Sequence, residues 1–342
     1  MSGLSMLWRR RLGNFTANRR GIVALVLFVL VALISLAAPL IANDRPLLLA
    51  YRGQIYAPVI EDIPESRFGA DFLPTEADYA NPQVRGAILA HGWMIWPPIP
   101  YSYDSIVWNA GASAPAPPSG RDWLGTDEVS RDVLARVIYG LRLALLFGFT
   151  LSIAASVIGI LAGAVQGFYG GLVDLLFQRF IEIWSGMPQL FLLIILASII
   201  APNFWILLIF LLLFSWMSLT GVVRAEFLRA RKLDYVRAAQ ALGVRDSRIM
   251  FRHILPNAMI ATLTFLPFIL SGSVTLLASL DFLGFGMPPG APSLGELVGE
   301  ARNNLQAPWL GATAFIVLGG LLLLLVFIGE AVRDAFDPRR GR

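Results

Sequence analysis

Cysteine is absent from the 342 residues, which excludes disulfides and thiolate metal sites. Histidine is reduced to His91 and His253, far apart in the chain, a poor basis for an imidazole metal centre or a catalytic triad. The single lysine, Lys232, follows Ala-Glu-Phe-Leu-Arg-Ala-Arg rather than a glycine-rich turn. The chain therefore has no P-loop for nucleotide phosphates, and any ATP hydrolysis must come from another polypeptide. Neither H-E-x-x-H nor G-x-S-x-G occurs, and a serine–lysine dyad would have to use Lys232, so membrane-embedded hydrolysis finds no support. Charge is scarce: 15% of residues against about 25% in a soluble domain. The carboxylates near apolar runs, Asp174, Glu182, Glu226, Asp281 and Glu330, lie at or beyond the run ends, with Glu182 the borderline case. A proton- or ion-coupled carrier usually places such a group inside the membrane, and none is evident here.

In place of charge stand long apolar runs in a chain that is 56% hydrophobic. A bilayer-crossing helix needs about 20 such residues, so the expected class is an all-α membrane protein of six transmembrane helices. They are placed at 21–41, 143–163, 187–200, 204–223, 258–280 and 311–328, the third starting earlier and bending at Pro188. The first run is longer than a signal-peptide core and is read as an uncleaved anchor, although small residues near its end make cleavage the rival reading. With the N-terminus inside, 18 of the 27 basic residues fall on the cytoplasmic side and 15 of the 23 acidic ones outside. The positive-inside rule therefore favours N-in and C-in. The same placement explains the basic excess without nucleic acid. The expected division is a basic cytoplasmic N-terminus (1–20), the first helix (21–41), a long periplasmic segment (42–138), a five-helix domain (139–330) and a cytoplasmic tail (331–342).

The segment 42–138 holds "HGWMIWPPIPYSY" and "ASAPAPPSG", too aromatic for a plain disordered linker, and is expected to form a small lid or docking surface. In the second span Gly148, Ser152, Ser156, Gly159 and Gly163 recur at helical spacing. Small residues on one face let another helix approach closely, and packing within this chain is the simpler explanation.

Between the fourth and fifth spans lies "DYVRAAQALGVRDSRIMFRHILPN". Asp234 is a plausible N-cap and Gly243 a C′ residue in the left-handed conformation, which delimits a two-turn helix. A second short helix is expected to start near Asp246 or Ser247 and to stop before Pro256, which lacks an N–H. Ala238, Ala239 and Ala241 suit close packing of the two, while Arg237, Arg245, Arg248 and Arg252 make the outer face basic. A solvated basic loop without a partner is the alternative, but such a loop requires no cap, glycine stop or alanine cluster.

This stretch resembles the EAA motif of ATP-binding-cassette importer permeases: Glu-Ala-Ala, three residues, Gly, nine residues, Ile, one residue, Leu-Pro. Ala238, Ala239, Gly243, Leu255 and Pro256 are in register, while Arg237 replaces the glutamate and His253 the isoleucine. "WLGTDEVSRDVLARVIYGLRLAL", "GFYGGLVD", "LDFLGFGMPPGAPSLGELV", "NNLQAPWLG" and "RDAFDP" occur in order and are similar to the dipeptide/oligopeptide permease family. The segment "IANDRPLLLAYRGQIYAPV" looks most like the Yej-type peptide importers, whose systems also take up the peptide antibiotic microcin C.

The resemblance implies a type I ABC importer permease fold and alternating access for peptides across a bacterial inner membrane. It implies a second homologous permease as heterodimer partner, an ABC ATPase with one or two nucleotide-binding domains, and a periplasmic peptide-binding protein. ATP and Mg would sit on the ATPase and no cofactor on this chain. Residues 234–256 would form the coupling elbow, with Asp234, Arg237, Ala238, Ala239, Gly243, Arg245, His253, Leu255 and Pro256 at the ATPase contact. A non-transporting membrane scaffold or assembly subunit is the competing function, distinguished by whether ATP turnover and uptake collapse together when the elbow is damaged.

Overall fold

A computed structural model describes residues 2–69, 74–107 and 113–336. Its elements run α1 (Ser2–Ala17), α2 (Arg19–Leu36), α3 (Ala38–Ile41), β1 (Leu48–Tyr51), β2 (Gln54–Tyr56), α4 (Pro82–His91) and β3 (Gly92–Ile95). The long helix α5 (Val133–Tyr169) follows, then α6 (Gly171–Ser185), α7 (Gln189–Ile199), α8 (Phe204–Ser215) and α9 (Met217–Ala230). The chain closes with α10 (Asp234–Ala241), α11 (Asp246–Arg248), a π-helical turn (Ile249–Ile254), α12 (Leu255–Leu263), α13 (Leu266–Phe282), α14 (Leu294–Asn303) and α15 (Pro308–Phe336). Of the tail arginines, Arg339, Arg340 and Arg342 lie outside the described residues, as do the last two residues of the "RDAFDP" block.

The molecule is mostly helical. Four stretches are long and apolar enough to cross a membrane: Arg19–Leu36, Val133–Tyr169, Phe204–Ala230 and Pro308–Phe336. A fifth forms if α6 and α7, bent 66° apart, are one broken span. The break falls at Gly186–Pro188, where Pro188 occupies the N-cap of α7 in an extended conformation. The run expected at 258–280 is divided into α12 and the shorter apolar helix α13. Pro267 in the first turn of α13 has no N–H to continue the preceding helix.

Cα packing divides the chain into two compact units, one of Met1–Phe28, Leu145–Pro288 and Gly320–Arg342, the other of Val29–Ala144 and Pro289–Gly319. In the first, the small-residue face of α5 meets helices of the same chain. A Cβ on Gly159 would lie 2.5 Å from the Trp216 carbonyl oxygen, and one on Gly163 2.6 Å from that of Thr220. A Cβ on Gly148 would lie 2.9 Å from Val274. Ser152 and Ser273 hydroxyls share a hydrogen bond of 3.1 Å. These contacts bring α5 against the backbone at the start of α9 and against side chains of α13, the close packing that small residues permit.

The second unit contains an element that an all-α reading did not foresee. β1 pairs antiparallel with both β2 and β3, giving the order β2–β1–β3. The two-residue loop Arg52–Gly53 has positive φ at both positions, 49° and 79°, as a type I′ hairpin turn requires. Helix α4, capped by the Asn81 side chain accepting from the Gln83 N–H at 2.9 Å, covers the sheet with Val84 and Ile88. The two join Leu49, Tyr51, Ile63, Phe68 and Tyr79 in a small core. A three-stranded sheet under a helix has the hydrophobic face that an isolated hairpin lacks.

Candidate functional site

The elbow begins at Leu233, which caps α10 through its backbone without a side-chain hydrogen bond. Asp234 is thus the first helical residue and not the N-cap. Its carboxylate still faces the positive end of the helix dipole, so the acidic residue fits the position for a different reason. The other end is as expected. Gly243 has φ +73°, the Val244 N–H donates to the Ala239 carbonyl at 3.1 Å, and the Gly243 N–H donates to that of Gln240 at 3.0 Å. This pair of bonds is the Schellman stop. Val244 and Ala239 belong to one hydrophobic cluster, the apolar contact that accompanies such a stop.

Pro256 does not end the second helix. α11 continues through the π-helical turn into α12, with Pro256 in the first turn of α12. A π-turn widens the hydrogen-bond register, which makes room for the proline ring and leaves its missing N–H without a carbonyl waiting for it. The elbow consequently connects to α12 by continuous helix.

One cluster anchors it. Val236, Ala239, Ile249, Met250 and Ile254 are buried with Phe227, Val223 and Leu219 of α9 and with Ala164 and Phe168 of α5. Val236, Ile249 and Ile254 are fully inaccessible, and burial of each such side chain is worth about 1.5–3 kcal/mol. Nearby, Asp174 accepts two hydrogen bonds from the Arg224 guanidinium, at 2.5 and 2.7 Å, and Arg231 donates to the Phe168 carbonyl at 3.3 Å. Glu182 pairs with Arg179 and Glu226 with Arg229.

The outer surface of the elbow carries the other expected site residues. Asp234, Arg237, Ala238, Gly243, Arg245 and Pro256 are exposed, His253 and Leu255 are half-buried, and Ala239 alone is buried. Leu242, 84% exposed, stands beside Arg245, Arg248 and Phe251 around one open cleft. The geometry is an apolar projection with a basic rim on a rigid base.

The second unit holds a group of charges that the motif resemblance did not single out. Asp127, Arg131, Arg136 and Glu300 are all buried. Arg131 Nε donates to Asp127 Oδ2 at 2.6 Å and Arg136 Nη1 to the same oxygen at 3.0 Å. Arg136 Nη2 reaches Glu296 Oε2 at 2.9 Å, and Arg131 Nη2 reaches Glu300 Oε1 at 3.3 Å. The network joins the start of α5 to α14. Asp132 caps α5, accepting from the Ala135 N–H at 2.7 Å. Two sequence signals could have marked the network: Asp127 and Arg131 four residues apart, and Glu296 and Glu300 spaced to share a helix face. Like charges so placed repel unless cations lie against them.

Three carboxylates here face two guanidiniums. Burial raises the Glu300 carboxyl to about 7, against the pull of Arg136, with Asp127 and Glu296 adding to the rise. Burial likewise raises Asp132 to about 6. A carboxyl with a raised folded pKa binds more protons folded than unfolded, so its contribution to stability is complete below the unfolded value and is lost as pH rises through the folded one. The unfolding temperature of the detergent-solubilised protein is therefore expected to fall between pH 5 and pH 8. Glu300→Gln should flatten that slope, and an unchanged slope would remove Glu300 as its source.

Among the described residues no group of three metal-ligating side chains converges. A docked, short helix pair between apolar helices, beside long apolar helices that pack through small residues, marks a membrane-embedded subunit with an exposed docking surface. The chain belongs to the family of binding-protein-dependent transport system inner membrane components, whose model matches residues 136–342. It is 56% identical, over the full length of both chains, to the inner membrane ABC transporter permease protein YejE of Escherichia coli. It is 55% identical to the peptidoglycan transport system permease protein YejE of Agrobacterium fabrum, across 97% of this chain and 93% of that one. It is also 34% identical to the oligopeptide transport system permease protein OppC of Lactococcus lactis, across 66% of this chain and 78% of the relative. The protein is thus a multi-pass permease subunit of the inner membrane.

Proposed function

We propose that this chain is the peptide-conducting permease subunit of an ATP-driven importer, and that residues 234–256 receive the mechanical work. The carrying observation is the elbow: buried on one side against α5 and α9, exposed on the other, and continuous with α12. A partner gripping Leu242 and the arginine rim would move α9 and α12 as rigid levers, because interiors packed this closely transmit displacement. Arg237 in place of the motif glutamate makes the contact basic, which suits an ATPase groove of acidic character. ATP and Mg bind on that ATPase, this chain contributes no catalytic group, and the translocation path alternates between inward- and outward-open states.

The relatives' names support a cargo with a peptide part, since oligopeptides and peptidoglycan fragments share one. The arrangement is six spans, N-in and C-in, with the segment 42–138 in the periplasm. A second permease completes the path, and a periplasmic binding protein delivers cargo to it. Microcin C-like peptides fall within the same cargo class.

Because the chain has no cysteine, single-cysteine variants report topology cleanly. Ile60→Cys is expected to react with an impermeant maleimide from outside and Gln240→Cys only from inside. Cells relying on the importer for a labelled peptide should accumulate it, and lose accumulation when the chain is deleted. Reversed labelling would overturn the topology, and undiminished uptake in the deletion would overturn the function. A scaffold subunit would instead leave transport intact once the complex was assembled by other means.

A further inference from the structure

Residues 43–45 after α3, residues 76–80 before α4, Arg85 of α4 and the proline-rich stretch after β3 line an open cleft of about 1140 Å³. Pockets for drug-sized ligands span about 300–1,000 Å³, so this space suits a chain of several residues better than a single amino acid. Its lining includes Asp44, Tyr79, Arg85, Trp96, Tyr101 and Asp104. Arg85 and Tyr101 also line an adjoining cleft of about 520 Å³ that extends to Asp132 and Trp123.

Three features of the cleft are unused by the fold. Arg85 lies over the Trp96 ring, 5.8 Å from its centroid, and makes no ion pair among the described residues, whereas Arg45 is taken by Asp62 and Glu76. Asp44 accepts a hydrogen bond from the Ser105 hydroxyl at 2.9 Å, but neither it nor Asp104 has a cation within ion-pair distance among the described residues. Tyr79 is 3% exposed and its hydroxyl has no hydrogen-bond partner among the described residues. A buried hydroxyl left without a partner costs about 1–3 kcal/mol, so a ligand that supplied one would recover that cost. Burial pushes the Tyr79 phenol up to about 12, which keeps it neutral and able to donate.

We propose that this cleft is a binding site for a short zwitterionic peptide, with the peptide carboxylate on Arg85, its ammonium against Asp44 and Asp104, and a backbone carbonyl accepting from Tyr79. An anionic saccharide or a lipid headgroup would leave the two carboxylates opposed to it, and a purely cationic ligand would leave Arg85 opposed. Only a ligand with both charges uses Arg85 and the two carboxylates together. Free peptides carry them at opposite ends. That the bound peptide is cargo rests on the import function proposed above; the ligand class rests on the cleft alone.

The test uses the full-length chain in nanodiscs, titrated calorimetrically with tetra-alanine, its N-acetyl form and its C-terminal amide. Tetra-alanine is expected to bind saturably and more tightly than either capped form. Arg85→Ala should weaken tetra-alanine by about tenfold, the worth of one charge-assisted hydrogen bond, and erase the preference for a free carboxylate. Arg85 is exposed while its neighbours Val84 and Ile88 hold α4 in the core, so this variant keeps the fold. The double variant Asp44→Asn with Asp104→Asn should erase the preference for a free ammonium. Absence of saturable binding, equal binding of all three peptides, or an Arg85→Ala variant that binds like the parent would each overturn the site. Peptide accumulation by the complete importer separates the two proposals. Accumulation without binding to the cleft sinks the site and spares the function; binding in a system that accumulates no peptide sinks the function and spares the site.

Discussion

Gly243→Val is expected to abolish most peptide uptake while the protein still inserts in the membrane and the partner ATPase retains basal turnover. A Cβ at this position meets nothing within 4 Å, so the cost is conformational. At φ +73° a side chain costs about 1–2 kcal/mol, and β-branching adds to that. The Schellman bonds from Gly243 and Val244 cannot form without that conformation, so the direction in which Leu242 projects is lost with it. A penalty of this size lowers the population of the docking-competent elbow by roughly tenfold or more. Gly243→Asn is the discriminating control, because asparagine tolerates the left-handed region and should retain most uptake. Transport at parental level in Gly243→Val would remove the elbow from the coupling path, and equal loss in both variants would point to a requirement for glycine other than its backbone.

Arg136→Ala has the largest expected effect on stability. Its side chain is 1% exposed and contacts Asp127 and Glu296, with Glu300 at 3.6 Å. Removing it leaves Asp127, wholly inaccessible, to share Arg131 with Glu300, and takes from Glu296 its cation partner among the described residues. Breaking a buried pair this way costs about 3–5 kcal/mol. Arg136→Lys should recover only part of this, since one ammonium cannot reproduce the guanidinium fork that reaches both α5-proximal and α14 partners. The expected readout is a strongly lowered unfolding temperature in detergent and reduced protein in the membrane. Replacing Arg136 by Met together with Asp127→Asn and Glu296→Gln should be milder than Arg136→Ala alone, because a charge removed with its partners leaves nothing uncompensated. If Arg136→Ala unfolds like the parent, the network does not tie α5 to α14.

The elbow shows how far local chemistry carries. Its glycine stop and basic face were legible because each depends on neighbours within a few residues, whereas of the three alanines expected to pack only Ala239 is buried, Ala238 and Ala241 lying exposed. Pro256 was misjudged for the converse reason. Whether a proline ends a helix depends on how the preceding turn is hydrogen-bonded, and a π-turn is not written in composition. Asp234 was placed one residue early, since a carboxylate favours either the cap or the first turn. The expected fifth span had the right apolarity, but Pro267 and the Thr264–Phe265 junction split it.

Sequence alone determined the membrane class, the lack of a P-loop motif and of cysteine, the basic elbow and the family. These follow from apolar run length, missing residue types and motif spacing, all local or additive properties. Tertiary structure decided the rest. The Arg52–Gly53 hairpin became a sheet only because residues 92–95 return to pair with β1. Arg136 meets Glu296 across 160 residues of chain, and Arg131 meets Glu300 across 169. Arg85, Tyr79 and Asp104 line one cleft from separate segments. Long-range pairing depends on which surfaces can be buried together, and no window of the sequence contains both surfaces at once.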